Sequence, residues 1–213
     1  MIRDIQLHRP AWLGTRRCQV AAALVAAGLT LGLTLPAYAD SKDGTFPTAE
    51  QVGGEVYRAP LNIGSTLPTD FVAFDAQGKK IDFGSVIKGK RSLVVFFISA
   101  VPVSVNELKR IEEFVDKNAQ KVNLVFVNAD TVGVALEGGP DKAISSTAST
   151  VRLIAKEHGL KRAMFVAPND ALSPTGLSNR LGFRGLPTSF LVNDKGSIEK
   201  IFVGPQHWKK GDI

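Results

Sequence analysis

Apolar positions change their spacing several times along this chain, and each change marks an element. Val105, Leu108, Ile111, Phe114 and Val115 recur at intervals of three and four, with Lys109, Arg110, Glu112, Glu113, Asp116 and Lys117 between them. That pattern predicts an amphipathic helix with a charged outer side. Ser104 lies three residues before Glu107, the spacing of a capping box, so Ser104 is read as the helix N-cap. Upstream, Ser92-Leu93-Val94-Val95-Phe96-Phe97-Ile98 is a continuous apolar run that suits a strand buried on both faces. A second such run covers residues 122–127. Strand, helix and strand, with both strands apolar, predict a parallel βαβ unit.

The flanking stretches extend this unit. Residues 71–74 and 79–83 surround Asp75-Ala76-Gln77-Gly78 and predict a β-hairpin. Residues 131–141 read as a Gly-rich loop. A Ser/Thr-rich helix follows to about His158, with Ile144, Ala148, Val151 and Ile154 or Ala155 inward and Gly159 as its stop. Residues 163–167 read as a short strand. Ser173-Pro174 opens a short helix that ends near Gly182. Residues 188–192 and 198–203, around Asn193-Asp194-Lys195-Gly196, form a last hairpin.

The N-terminal region changes the picture of where the protein works. Arg3, Arg9, Arg16 and Arg17 precede an apolar run over 20–35, which is short for a bilayer crossing of about 20 residues. Pro36 breaks the run, and Ala37-Tyr38-Ala39 gives a small-x-small cleavage pattern. Residues 1–39 are therefore expected to be a secretory signal cleaved near Ala39, delivering a periplasmic or secreted protein without a stable membrane anchor. Thr15-Arg16-Arg17 resembles the start of a twin-arginine motif, but Gln19 departs from it, and the export route stays open. Residues 40–60, rich in Gly, Pro, Thr and Ser, read as a linker or arm, leaving 61–213 as the folded domain.

Charge and chemistry then narrow the classes. The signal holds four of the 26 Lys and Arg and one of the 20 acidic residues, so its loss halves the formal charge of +6. No basic cluster with interleaved aromatics remains, which argues against nucleic acid. His158 and His207 stand far apart without ligand spacing, so no metal is expected. Glu137-Gly138-Gly139-Pro140 is a turn and not a phosphate loop, and no cofactor is called for. Trp208 is read as local packing. The single cysteine, Cys18, lies inside the signal and ahead of its apolar run, so the processed protein is expected to be cysteine-free.

Four strings now carry a resemblance. Gly64-Ser65-Thr66-Leu67-Pro68-Thr69-Asp70-Phe71, Gly78-Lys79-Lys80-Ile81-Asp82-Phe83 with Gly89-Lys90, the run 92–98, and Gly185-Leu186-Pro187-Thr188-Ser189-Phe190-Leu191-Val192-Asn193-Asp194-Lys195-Gly196 stand in the family's order. The chain over 63–204 resembles the redoxin branch of the thioredoxin superfamily, especially its periplasmic TlpA/ResA kind. The resemblance implies an α/β thioredoxin-like fold: a central mixed sheet flanked by helices, with an N-terminal β-hairpin extension. The family's C-x-x-C pair falls on Pro102 and Val105, and a peroxidatic cysteine would fall near Ser104 or Val105. None of these is a thiol, and the thiolate is the nucleophile of that chemistry. Ser104 has no nearby His to activate it. The resemblance also places a cis-proline at Pro187. Leu186, Pro187 and Thr188 then either dock an extended peptide or only set the turn into the strand.

Two functions follow. The first is a redox-inert domain that binds or helps assemble an exported polypeptide partner. The second is an accessory component of a thiol–disulfide or antioxidant pathway whose partner supplies the thiols. The oligomeric state stays open. Family members place a further helix after the last hairpin. Pro205, Gly211 and Lys209-Lys210 oppose one here, so the sheet face beside the 105–115 helix is expected to be uncovered and to take a partner, the 40–60 arm, the 131–141 loop or a second copy.

Overall fold

The computed structural model describes residues 61–119, 121–130, 138–170, 176–182 and 185–213. The signal, the 40–60 arm, most of the 131–141 loop and Ser173-Pro174 lie outside the described residues. Among those described, the strands form one mixed sheet in the order Lys80–Ile81 (β2), Ala73–Asp75 (β1), Ala163–Val166 (β5), Asn123–Asn128 (β4), Ser92–Phe97 (β3), Thr188–Val192 (β6) and Ile198–Val203 (β7).

The alternation inside one strand explains the architecture. In β3 (Ser92–Phe97), Leu93, Val95 and Phe97 enter one apolar cluster while Val94 and Phe96 enter another. A continuous apolar run is what two covered faces require. One face packs α2 (Pro102–Asn118) through Val105, Leu108, Ile111 and Val115, and α3 (Pro140–His158) through Ala148, Val151 and Ile154. The other packs α1 (Phe83–Ile87) through Phe83 and Ile87, and α4 (Leu177–Leu181) through Leu177 and Leu181. β3 pairs in parallel with β4 (Asn123–Asn128), which pairs in parallel with β5 (Ala163–Val166). The expected βαβ unit is present. The last hairpin, β6 (Thr188–Val192) and β7 (Ile198–Val203), lies antiparallel beside β3.

The N-terminal hairpin is shorter than its pattern suggests. β1 (Ala73–Asp75) pairs with β2 (Lys80–Ile81), and the chain then leaves the sheet. Asp82 turns it: its Oδ1 accepts from the Gly84 N–H at 3.0 Å and caps α1. Phe83, read as a strand residue, is instead fully buried in that helix.

Three readings of α2 and its surroundings need correction. First, Val101 is the N-cap of α2, and Ser104 sits inside the first turn. The Ser104 hydroxyl accepts from the Ile98 N–H at 3.2 Å, tying the helix back to the strand end. Pro102, with its preset φ and no N–H to leave unpaired, suits the first helical position, which puts the boundary upstream of Ser104. Second, the charged side of α2 is not uniformly solvated. Glu107 and Glu112 are 1% and 2% exposed. Third, the face beside α2 is covered. Phe202, Trp208 and Ile213 pack onto the same cluster as α2. Residues 204–213 form no helix, and they lie as a strap over the face that was expected to be bare.

Glu107 holds that strap. Its Oε1 accepts from the Gln206 N–H at 3.0 Å and from the Trp208 indole Nε1–H at 2.7 Å. Its Oε2 pairs with Arg110 at 3.0 Å, and Arg110 donates in turn to the Gln206 carbonyl at 2.9 Å. A buried carboxylate is tolerated when its lone pairs are met this fully. Glu112 does the same on the other flank, accepting from the Lys161 and Arg162 N–H groups at 2.8 and 3.0 Å. Five residues separate the two, about 140° round a helix of 3.6 residues per turn, so they grip both edges of the apolar stripe.

Candidate functional site

The head of α2 meets the loop before β6 at the C-terminal end of β3. Thr188 pairs with Phe96 near the end of β3, which brings the Leu186–Pro187 peptide beside the turn into α2. That peptide bond is cis. The turn itself is fixed from β4. Asp130, just past β4, accepts from the Ser99 N–H at 2.7 Å and from the Ser99 hydroxyl. The Asp130 N–H donates to Asn128 Oδ1 at 3.2 Å. Asn128 is fully buried, and its Nδ2 has no hydrogen-bond partner among the described residues. Asn169 donates its N–H to the Asp130 carbonyl at 3.2 Å, and its side-chain oxygen accepts from the Ser178 N–H and hydroxyl. This polar web locks three loops at the ends of β3, β4 and β5.

Each residue singled out from the sequence can be placed on this frame. Pro102 is the first residue of α2 and is exposed, whereas Val105 faces the core at 6% exposure. Ser104 is fully buried and its oxygen already accepts the Ile98 N–H. The site exposes Pro102 and Val103, the latter at 48%. Of the docking residues, Thr188 has both flanks occupied, by β3 and β7. Its hydroxyl donates to the Gly185 carbonyl at 2.6 Å. The Pro187 carbonyl accepts from the Gly204 N–H at 2.8 Å. Only Leu186 keeps a backbone N–H and carbonyl without partners among the described residues. Pro102 and Val103 are exposed at the head of α2 and Leu186 is half-buried before β6, whereas Thr188, Ser104 and Val105 are withdrawn into the fold.

Sequence reasoning missed Glu107 and Glu112 as buried anchors and Asp130 as the clamp on Ser99. For Asp130 no sequence signal was available. For Glu107 the signal was Trp208, an aromatic with a donor that a buried position obliges to find an acceptor. Among the described residues no group of three His, Cys, Asp or Glu is placed to hold a metal ion. No described helix is long and apolar enough to cross a membrane.

The parallel core, the antiparallel hairpin beside it and the cis-Pro turn facing the head of α2 define a thioredoxin-like fold. The chain belongs to the redoxin family, whose signature matches residues 62–213. No curated protein matches the sequence. The fold is shared with a thiol peroxidase from Chromobacterium violaceum at 16% identity and a TM-score of 0.51, covering 74% of this chain and 84% of that one. A putative protein disulfide isomerase from Bacteroides thetaiotaomicron aligns at 21% identity and a TM-score of 0.49, over 69% and 82% of the two chains. StoA from Bacillus subtilis aligns at 26% identity and a TM-score of 0.42, over 65% and 92%.

One expectation from the sequence is corrected on composition. The chain is not cysteine-free, because Cys18 is part of it. One cysteine makes no disulfide pair, and residues 61–213 contain none. The redoxin site is therefore present as a scaffold without the dithiol its chemistry uses.

Proposed function

We propose that this is a non-catalytic redoxin that works outside the cytoplasm and holds an extended segment of a polypeptide partner against the head of α2. The observations that carry the reading are an apolar, thiol-free helix head at Pro102 and Val103 and a Leu186 whose backbone N–H and carbonyl have no partner among the described residues. A peptide laid along Leu186 would gain two main-chain hydrogen bonds and cover the exposed Val103, the ordinary economy of strand-like recognition. Residues 1–39 act as the export signal in this reading, and the protein recovered outside the cytoplasm begins at Asp40.

The test compares two baits. The wild-type protein and a Val103→Asp variant are used to capture partners from the export compartment, followed by mass spectrometry. Val103 is exposed, so the substitution leaves the core untouched. A polypeptide retained by wild type and depleted at least about fivefold by Val103→Asp supports the proposal. Identical captures overturn it. The accessory reading, in which the partner supplies the thiols, is supported only if the retained partner carries a reactive cysteine pair of its own.

A further inference from the structure

A groove of about 490 Å³ runs between the C-terminal half of α2 and residues 207–209. Phe114 and Trp208 supply its aromatic wall, with ring centroids 5.7 Å apart and planes 31° from parallel. The wall is rigid. Trp208 backs onto Phe202 at 4.9 Å, and its indole N–H is held by the buried Glu107. Arg110, Lys117, Lys209 and His207 also line the groove. Arg110 is committed to Glu107 and Gln206. Lys117 and Lys209 are exposed, and neither ammonium has a hydrogen bond or ion pair among the described residues. Glu113 is the acid on this lining, and it stands 4.0 Å from Lys109. An aromatic platform is thus flanked by uncommitted positive charge.

We infer that this groove docks an acidic peptide segment with an apolar side chain among its carboxylates. The apolar side chain would lie on Phe114 and Trp208, and the carboxylates would meet Lys117 and Lys209. Both parts are required by the lining. A bare anion would leave the rings wet, and a neutral peptide would leave the ammonium groups unmatched. Charge complementarity of this kind sets partner choice and association rate, and salt screens it. A nucleic-acid strand fits less well. The two rings pack against each other as one wall, Glu113 sits in the lining, and Arg110, Lys117 and Lys209 make a short track for a polyphosphate. The groove is separate from the proposed docking site: Phe114 lies eleven residues beyond Val103, about 16 Å along the helix axis at 1.5 Å per residue.

The experiment uses fluorescence anisotropy of a labelled nonapeptide, eight Glu around a central Phe, with the purified protein at low salt. Saturable binding is expected. The double variant Lys117→Glu/Lys209→Glu should weaken it about tenfold or more, and Glu113→Lys should tighten it, a gain that misfolding cannot mimic. Replacing the central Phe of the peptide by Ser should weaken binding about threefold or more, from the lost apolar burial. The inference is overturned if the double variant binds equally, or if the Phe-free or all-Gln peptide binds as well. It is also overturned if a labelled oligothymidylate of equal charge competes more strongly, or if sedimentation shows the chain pairing with itself through these lysines. Val103→Asp should leave the peptide affinity unchanged. A failure at the groove is thereby distinguished from a failure at the head of α2.

Discussion

Glu107 ties three donors on two segments to one buried carboxylate, and its loss should be felt well beyond one side chain. Glu107→Ala strands the Trp208 indole N–H, the Gln206 N–H and Arg110. It should cost about 2–4 kcal/mol in urea unfolding, as for the loss of one partner of a buried charged network. Glu107→Gln keeps a carbonyl for Trp208 and Gln206 but turns an amide group toward Arg110, so it should recover roughly half of that. A cost below about 0.5 kcal/mol for the alanine variant would show that the strap contributes little to folding. Ser104 makes the complementary point. Its buried hydroxyl accepts from the Ile98 N–H, so this residue acts as a brace for the turn.

Elements follow local rules where the chain is regular. The αL glycine that closes α3 has φ of 60° and open space around it, so a Cβ there meets no neighbour and only the backbone objects. Gly159→Ala should therefore cost about 1 kcal/mol, read as a lowered thermal midpoint by circular dichroism, and a neutral result would show that the cap can relax. The sequence made this stop legible, as it did the buried β3, the parallel β3–α2–β4 unit and the final hairpin, because periodicity and glycine act within a few residues. It misread the ends of α2 and β2. Ser104 with Glu107 has the spacing of a capping box, but the true partners of Glu107 lie about 100 residues further on, where no local pattern can reach. Phe83 looked like a strand residue because a large apolar side chain suits both elements, and only Asp82 with Gly84 marks the turn. The proposed docking place was legible only as a turn. The cis-Pro string pointed to its place, but which backbone groups stay free depends on pairing with β3, β7 and Gly204.

For the molecule as a whole, the scaffold of a redoxin is kept while the reactive pair is missing. One cysteine cannot cycle between dithiol and disulfide within a single chain. The protein should fail to accelerate the reduction of insulin by dithiothreitol. Turbidity rising at a rate near that of a C-x-x-C thioredoxin would contradict the assignment. The fold also accounts for how the domain stays closed without a further helix. Polar bonds from α2 draw residues 204–213 across the face beside it, and Trp208 supplies the bulk. The expectation of a bare partner face there rested on residues 204–213 forming no helix, and the strap they make removes its basis.

The strap is measured as well as anchored. Gly204 reaches the Pro187 carbonyl, and Gln206 and Trp208 share one oxygen of Glu107 at a spacing of two residues. Between them, Pro205 and His207 are exposed and make no side-chain bond among the described residues. In the language of the gene, their codons are free to drift while their number is not. A substitution at either position leaves every anchor in place. A single inserted codon after Gly204 would slide Trp208 off Glu107. Lineages descended from this chain should therefore vary in spelling here and hold a constant count.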